Sequence, residues 1–372
     1  MPRLSLPTVL LSLALGAAPA AAETVTSEKH RFTLTVLSDE LDHPWALAFL
    51  PNGDMLVTER SGSLRIFRGG KLDPTPIAGV PEVAAVNQGG LLDVALDPDF
   101  AENRTIYLSF SAPGSGGQGT EVARARLAGG RLEDVKVILE AGNKSGGGRH
   151  FGSRLVFDRD GFLYVTSGDR GTPDRSQDNR DLAGTVSRIK SDGSVPPDNP
   201  FVGKSGARPE IFTYGHRSPQ GLALHPETGR LWQHEHGPRG GDELNLLEPG
   251  ANYGWPVITY GKSYAGFKIG EGTAKPGMEQ PVRYWVPSIS PSGMSFYTGK
   301  AFPNWQGNLF LGALSAGVLV RLELDGETVV HEERMLEDFG ERIRDVRQGP
   351  DGKLYILTDS SDGMLIRLDP AS

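Results

Sequence analysis

One pattern recurs six times between Pro44 and Thr358: an apolar strand, a turn rich in Pro, Asp, Asn and Gly, and a second apolar or β-branched strand. Each copy has the features of a β-hairpin, because glycine tolerates positive φ and proline fixes φ in the turn. No convincing amphipathic helix interrupts the series, so radial repetition explains it better than a sandwich or two domains. The copies are residues 46–58, 92–109, 154–166, 221–232, 294–312 and 346–358.

We therefore predict an all-β fold, a six-bladed β-propeller with four-stranded antiparallel blades, as a single domain over residues 23–372. The 49 Gly and 27 Pro residues agree, since they imply many turns and few long helices. Uneven spacing between copies predicts long loops on one face, at roughly residues 112–147, 171–209 and 238–292. The segment 31–37 is a candidate to pair with the last blade near residues 364–368 and close the ring.

The first 22 residues have the features of a cleaved export signal. Arg3 is followed by an apolar run from Leu6 to Leu15 and an alanine-rich stretch that ends at Ala22 before Glu23. A membrane anchor needs about 20 apolar residues, whereas this run is shorter and is interrupted by proline. We expect a soluble protein in the periplasm or secreted, without membrane insertion.

The net charge and the absence of cysteine exclude several classes of function. The formal net charge of −8 argues against nucleic acid or an anionic membrane as a partner. The absence of cysteine excludes disulfides, cysteine-based zinc and iron–sulfur sites, and a Cys-linked haem. A redox enzyme of this composition passes its electrons to an external acceptor. The sequence leaves open whether the protein is a monomer or a homodimer.

The best candidate for chemistry is the stretch of residues 146–154, where three glycines precede Arg149 and His150. Glycines let a ligand approach the backbone closely, and imidazole accepts a proton near neutral pH. For a lone histidine after a glycine run, the simpler interpretation is a surface loop whose histidine only hydrogen-bonds a neighbour. The choice between the two depends on the other motifs.

Three further stretches are too polar and glycine-rich to be only turns. Each adjoins a repeat strand at a comparable place, so in a propeller all three reach one end of the central channel. We therefore expect one shared site, built from residues 87–92, 215–221 and 235–243.

Five motifs in order resemble the soluble quinoprotein glucose/sorbosone dehydrogenase family, and within it the soluble aldose sugar dehydrogenases. They are Gly-Arg-His-Phe-Gly at 148–152, Gly-His-Arg-Ser-Pro-Gln-Gly at 215–221, His-Gly-Pro-Arg-Gly-Gly-Asp-Glu at 236–243, Asn-Tyr-Gly-Trp-Pro at 252–256 and Arg-Ile-Arg-Asp-Val at 342–346. The resemblance covers nearly all of residues 44–368. It implies a six-bladed propeller that carries pyrroloquinoline quinone (PQQ) and calcium and oxidises the C1 hydroxyl of aldose sugars to lactones.

The resemblance also implies the catalytic residues. His150 matches the family's general base, which takes the proton of the C1 hydroxyl while hydride passes to the C5 carbon of PQQ. Arg217 matches the residue beside the quinone oxygen, where a fixed positive charge stabilises the developing anion.

Four further positions match cofactor contacts in the family, namely Gln88, Ser218, Arg342 and Arg344. Arg217 also matches a cofactor contact. The planar fork of arginine suits the carboxylates of PQQ. For Arg342 and Arg344 taken alone, a solvated strand end is an equally good interpretation.

For calcium, Gly237 and Pro238 match backbone carbonyls that hold the ion polarising the quinone. A second, structural calcium is implied at Glu243 with the carbonyls of Tyr253 and Tyr264. Oxygen ligands are what a hard cation prefers. For Glu243 alone, an ordinary surface carboxylate is the simpler interpretation.

Three departures from the family pattern bear on these implications. Ser315 stands at or near a lysine that faces PQQ in the best-known soluble glucose dehydrogenases, so the strength of PQQ binding is in question. Ser218 replaces an Asn after the active-site arginine, and Arg149 replaces an acid before the base. Two rival hypotheses remain: a calcium-dependent lactonase-like hydrolase, and a cofactor-free propeller that binds sugar or protein.

Overall fold

The six repeated hairpins form the first two strands of six antiparallel sheets. A computed structural model describes residues 24–371, and the predicted signal peptide lies outside these residues. The strands are β1 (Thr24–Thr26), β2 (Arg31–Leu41), β3 (Pro44–Phe49), β4 (Met55–Glu59), β5 (Leu64–Arg68), β6 (Lys71–Leu72), β7 (Leu91–Leu96), β8 (Thr105–Gly114), β9 (Gly117–Ala128), β10 (Arg131–Ser145), β11 (Leu155–Phe157), β12 (Phe162–Ser167), β13 (Thr185–Lys190), β14 (Ile211–Tyr214), β15 (Pro219–Leu224), β16 (Leu231–Glu235), β17 (Asp242–Leu246), β18 (Arg283–Trp285), β19 (Pro291–Phe296), β20 (Leu309–Ala313), β21 (Leu319–Asp325), β22 (Thr328–Met335), β23 (Ile343–Gln348), β24 (Leu354–Thr358) and β25 (Gly363–Pro370). One α-helical turn, α1 (Phe100–Asn103), and two 3-10 segments, Pro173–Gln177 and Pro303–Trp305, complete the described elements.

The sheets confirm the six-bladed propeller. Blades 1 to 5 are the consecutive sets β3–β6, β7–β10, β11–β14, β15–β18 and β19–β22. Blade 6 takes β23, β24 and β25 from the carboxyl end and β2 from the amino end, with β1 as a fifth strand at its edge. The predicted closure of the ring is also confirmed, since Leu34 pairs with Leu368 and Val36 with Ile366.

The core lies within and between the blades, because each sheet is apolar on both faces where it packs against its neighbours. One buried cluster joins blades 5 and 6 and includes Phe32 of β2, so the amino-terminal strand is anchored by packing as well as by hydrogen bonds. Trp232 and Trp305 are buried in these clusters, as expected for blade core. Burying such large side chains stabilises a fold by roughly 1.5–3 kcal/mol each.

The prediction of a long loop at residues 112–147 is wrong. This region is the long hairpin of β9 and β10, with positive φ at Gly116 and Gly117 where β9 begins and at Gly129 and Gly130 between the two strands. Outer strands of a blade are largely exposed and carry little apolar alternation, so they resemble insertions between hairpins. Region 171–209 likewise contains a 3-10 segment and β13. Region 238–292 contains the long irregular stretch 247–282 between β17 and β18.

The first strands of the six blades, β3, β7, β11, β15, β19 and β23, surround a central channel. A buried network of charges fills it: Arg154 contacts Asp93 and Asp345 at 3.3 and 3.2 Å, and Arg347 contacts both carboxylates again. The guanidinium of Arg154 also lies over the ring of Trp45. Two cations and two anions therefore balance inside the ring. Between residues 24 and 371, no helix is long and apolar enough to cross a membrane.

Candidate active site

The motif residues gather at one end of the channel because of the hairpin geometry. In an antiparallel hairpin, the start of the first strand lies beside the end of the second, as Pro219 lies opposite Glu235 and Pro44 opposite Glu59. Residues that flank these positions in successive blades line a cavity of about 550 Å³, here called the first cavity. Its wall contains His43, Trp45, Arg60, Asn87, Gln88, Leu92, Phe151, Gly152, Gln220, His236, Tyr264, Ser290, Leu314, Arg342, Arg344 and Asp359.

His150 directly precedes Phe151 and Gly152, which line this cavity, and its backbone conformation is fixed by its neighbours. Its φ is 53°, and its N–H donates to Oε1 of Gln88 at 2.8 Å. Gly152 has no room for a side chain, since a Cβ there would lie 2.8 Å from the carbonyl oxygen of Thr166. The glycine-rich sequence thus allows close approach of strands around the histidine, and Gln88 fixes its main chain.

The imidazole of His150 is oriented by a carboxylate. Its Nδ1 lies 2.6 Å from Oδ1 of Asp169, which is fully buried. Asp169 also accepts hydrogen bonds from the backbone N–H of Gly171 at 2.6 Å and from Nε1 of Trp255 at 2.8 Å. Burial alone would raise the pKa of this carboxyl, but the hydrogen bonds from His150, Gly171 and Trp255 outweigh it and lower the pKa.

An ionised Asp169 can only accept, so Nδ1 of His150 carries the proton and Nε2 carries a free lone pair. Burial, together with the positive charge of Arg217, lowers the pKa of His150 below its ordinary value despite the opposing effect of Asp169. The imidazole is therefore neutral at pH 7. Its side chain is 12% exposed, and within residues 24–371 its Nε2 has no hydrogen-bond partner. This arrangement fits a general base.

Sequence reasoning missed Asp169. The residue follows Ser167 and Gly168 at the end of β12, the second strand of blade 3. It lies one residue further beyond its strand than His236, which directly follows β16, so the repeat pattern alone does not identify it.

Arg217 lies beside a smaller cavity, here called the inner cavity. Gly237, Glu243 and Tyr253 also line it. Its Nη1 donates to the carbonyls of His236 at 3.0 Å and Gly237 at 2.8 Å. Its Nε is buried and has no partner among the described residues. The guanidinium therefore retains hydrogen-bonding capacity next to His150.

Ser218 lies deeper than expected for a cofactor contact. Its side chain is buried and interacts with Gln220 at 3.3 Å, and it is Gln220 that lines the first cavity. His216 of the same motif is structural, with its two ring nitrogens next to Glu235 and Thr213.

A cluster of cations occupies the other wall of the first cavity. Arg344 and Arg342 contact Oδ2 of Asp359 at 2.8 and 3.2 Å, and Arg60 donates to the carbonyl of Asn87. Burial would raise the pKa of Asp359, but Arg344, Arg60 and Arg342 lower it to about 2. Nε of Arg344 and Nε of Arg60 are buried without a partner in the described part of the chain. Three cations thus surround one anion, which leaves hydrogen-bond donors for an anionic ligand.

Arg60 was not predicted as a site residue. It directly follows the end of β4, the second strand of blade 1, just as His236 directly follows β16, so the repeat pattern could have identified it.

The residues predicted to bind calcium are divided between cavities. Glu243 and Tyr253 line the inner cavity together with Gly237, whereas Tyr264 lines the first cavity and Pro238 lines a more open one described below. Burial and the neighbouring charge of Glu235 raise the pKa of Glu243 well above its usual range. Among the described residues no group of three or more His, Asp or Glu side chains could hold a metal ion, so a cation here would depend on Glu243 together with backbone oxygens.

None of the three departures from the family pattern, Ser315, Ser218 and Arg149, lines the first cavity. Ser315 is exposed at the rim, and the adjacent Leu314 lines the cavity instead. Arg149 is exposed, and its carbonyl accepts a hydrogen bond from Arg170. His150 is thus oriented by Asp169 and not by the residue that precedes it.

Comparison with known proteins agrees with this geometry. Residues 41–367 match the sequence model of the family described as Glucose / Sorbosone dehydrogenase. The chain belongs to this family. It is therefore an oxidoreductase. Among its relatives, the aldose sugar dehydrogenase YliI of Escherichia coli (strain K12) is 48% identical over 98% of this chain and 97% of the relative. Quinoprotein glucose dehydrogenase B of Acinetobacter calcoaceticus is 30% identical over 90% of this chain and 87% of the relative.

Solved structures of the family agree with this assignment. The PQQ-bound aldose sugar dehydrogenase of Streptomyces coelicolor is 29% identical, covers 91% of this chain and 98% of that chain, and superposes with a TM-score of 0.74.

Proposed function

We propose that this family member oxidises the C1 hydroxyl of aldose sugars to lactones, with PQQ as its cofactor. The proposal rests on the His150–Asp169 pair, which directly adjoins Phe151 and Gly152 of the first cavity, and on the unpartnered N–H groups of Arg60 and Arg344 in the lining of the same cavity. A neutral base and an anion-binding wall on one cavity are what a sugar dehydrogenase with an acidic quinone requires.

The cofactor fits the residues present. PQQ carries carboxylates, and Arg344, Arg342 and Arg60 offer cationic donors in the first cavity. Gln88 lines the same cavity, so its amide N–H groups are available to a ligand while its Oε1 holds His150. Ser315 does not line this cavity, and the cationic donors that the proposal assigns to PQQ are arginines of other blades.

In this proposal His150 takes the proton of the C1 hydroxyl at its Nε2, and Asp169 stabilises the resulting imidazolium. Bound PQQ supplies the acceptor for the hydride that leaves C1. Arg217 places a fixed positive charge beside the reacting groups and compensates negative charge that develops there.

We propose a calcium ion at Glu243, where it would relieve the repulsion between Glu243 and Glu235. The carbonyl of Gly237 accepts a hydrogen bond from Arg217, so a calcium ion at Gly237 and Pro238 requires Arg217 to release that oxygen. We further propose that residues 1–22 direct export and are removed, and that electrons leave to an external acceptor.

Replacement of Asp169 by Asn tests its role as a positioning residue. The new amide cannot accept from His150, Gly171 and Trp255 at once, so the imidazole loses its fixed tautomer. We expect kcat to fall by about 10²–10⁴-fold. Because Asp169 raises the pKa of His150, its loss should move the acidic limb of the kcat/KM profile to lower pH. A reduced plateau with an unmoved or upward-shifted limb would contradict this role.

The proposed function is tested by reconstitution. The metal-free protein without residues 1–22 is mixed with PQQ, calcium, or both, and reduction of an artificial dye is followed with a panel of aldoses. We expect turnover only with both additions and accumulation of the lactone. If PQQ neither binds nor supports turnover and lactones are hydrolysed instead, the protein is a lactonase-like hydrolase. Sugar binding without either reaction would support a non-catalytic propeller.

A further inference from the structure

A row of three cations lies beside the first cavity and has no role in the proposed chemistry. Arg239 and Lys262 form an isolated antiparallel bridge, exchanging backbone hydrogen bonds of 2.9 and 3.2 Å. Lys262 forms a second antiparallel bridge with Lys268. Residues directly opposite each other across such bridges present their side chains on the same face, about 4.5–5.5 Å apart at Cα.

No acidic side chain of the described residues neutralises this row. Within residues 24–371 the side chains of Arg239 and Lys262 have no hydrogen bond or ion pair, and the ammonium of Lys268 donates only to the carbonyl of Glu271. Like charges directly opposite each other destabilise a sheet. The chain has a net charge of −8 and therefore many acidic residues that could pair with these cations. Because none of the described ones does, the row points to an anionic ligand.

Arg239 and Lys262 line an open cavity of about 730 Å³, here called the second cavity. None of its lining residues in the described chain is an aspartate or glutamate. Tyr264 and Ser290 line both the first and the second cavity, so the two spaces adjoin.

The walls of the second cavity also suit a sugar ring. Tyr264 is 73% exposed, and Tyr260 stacks on Tyr284 at 3.8 Å between ring centres. Exposed aromatic faces pack on apolar ring faces, while the hydroxyls of Ser288 and Ser315 can hydrogen-bond ring substituents.

We propose that the second cavity is a subsite for a negatively charged group of the substrate, a carboxylate or phosphate, held by Arg239 and Lys262. The enzyme then prefers an acidic saccharide whose reducing-end aldose occupies the first cavity. This inference rests on the proposed oxidation at C1, and it assigns a substrate class to that activity.

The test compares matched sugars. Cellobiose and the disaccharide with glucuronic acid in place of its non-reducing glucose differ only at one C6 group, and glucose and glucose 6-phosphate provide a phosphate arm. For the reconstituted wild-type enzyme at low salt, we expect kcat/KM to be about tenfold higher or more for an acidic sugar than for its neutral partner. Added salt should reduce this preference. The pair of sugars that shows this preference tells whether the subsite binds a carboxylate or a phosphate.

Lys262→Gln and Arg239→Gln should each remove most of the preference and leave kcat/KM for cellobiose and glucose within about twofold. Lys300→Gln is the matched control, since Lys300 is exposed in the turn between β19 and β20 at the opposite end of the channel. Equal rates for acidic and neutral sugars would overturn the subsite while the dehydrogenase function stands. Variants that lower the rate only with an acidic acceptor protein, and not with a dye, would reassign the row to protein docking.

If no sugar is oxidised, the proposed function fails and the subsite is decided by binding alone. Calorimetry with the non-oxidisable methyl glycoside of the acidic disaccharide should then show binding to the wild-type protein that Lys262→Gln weakens about tenfold. Equal binding to both proteins, or to neither, would overturn the subsite.

Discussion

His150→Ala is expected to lower kcat by about 10²–10⁴-fold, because it removes the neutral imidazole that Asp169 orients and whose Nε2 has no hydrogen-bond partner among the described residues. Affinity for PQQ should change little, since the arginines on the opposite wall remain. The measurement is dye reduction by the reconstituted protein, together with a PQQ titration followed by absorbance.

The pH dependence provides a second readout of the same residue. The base is active when neutral, and its pKa is lowered, so wild-type kcat/KM should be constant at neutral pH and fall only below the ordinary histidine pKa. The residual activity of His150→Ala should lack this acidic limb. His331→Ala is the control, as His331 is exposed on β22. Normal turnover by His150→Ala would assign the base elsewhere.

Arg344→Gln is expected to weaken PQQ binding by about 10²-fold or more. Arg344 is buried beside Asp359 and has an unpartnered Nε, so its contacts to a carboxylate are desolvated and strong. Arg342→Gln should cost less than about tenfold, because its side chain is 52% exposed and solvent competes for it. Equilibrium titration of PQQ measures both values.

Arg344→Lys separates charge from geometry. Lysine keeps the positive charge but loses the planar fork, so its affinity should lie between wild type and Arg344→Gln. Thermal unfolding without cofactor shows whether the variants are folded. Equal losses for Arg342→Gln and Arg344→Gln, in proteins that unfold at the wild-type temperature, would contradict this account of the anion-binding wall.

The fold was predictable because the sequence features that specify it lie within short segments of the chain. Each first hairpin has two apolar strands and a turn with Gly or Pro, and six such units permit few architectures. The outer strands were harder to predict, since β10 is exposed along much of its length and its sequence resembles a loop. Pairing of residues 31–37 with the last blade was predictable from the general way that propellers close.

The candidate site was predictable where it lies in glycine-rich motifs, as with His150 and Arg217. Asp169 and Arg60 were not predicted as site residues. Each is a single polar residue just beyond the end of a strand, in a local sequence without unusual features. Their function depends on burial and on neighbours from other blades, such as Trp255 for Asp169. Sequence spacing could not show that Ser218 lies behind Gln220, or that Tyr264 and Glu243 line different cavities.

Oxidation of the sugar at C1 by bound PQQ is tested by a single turnover without an external acceptor. The protein loaded with PQQ and calcium is mixed anaerobically with saturating glucose or with glucose deuterated at C1, and the spectrum of the bound quinone is followed. We expect one equivalent of lactone for each quinone reduced, and slower reduction with the deuterated sugar because the C1–H bond breaks in that step. A quinone spectrum that sugar does not change, or reduction without formation of lactone, would contradict it.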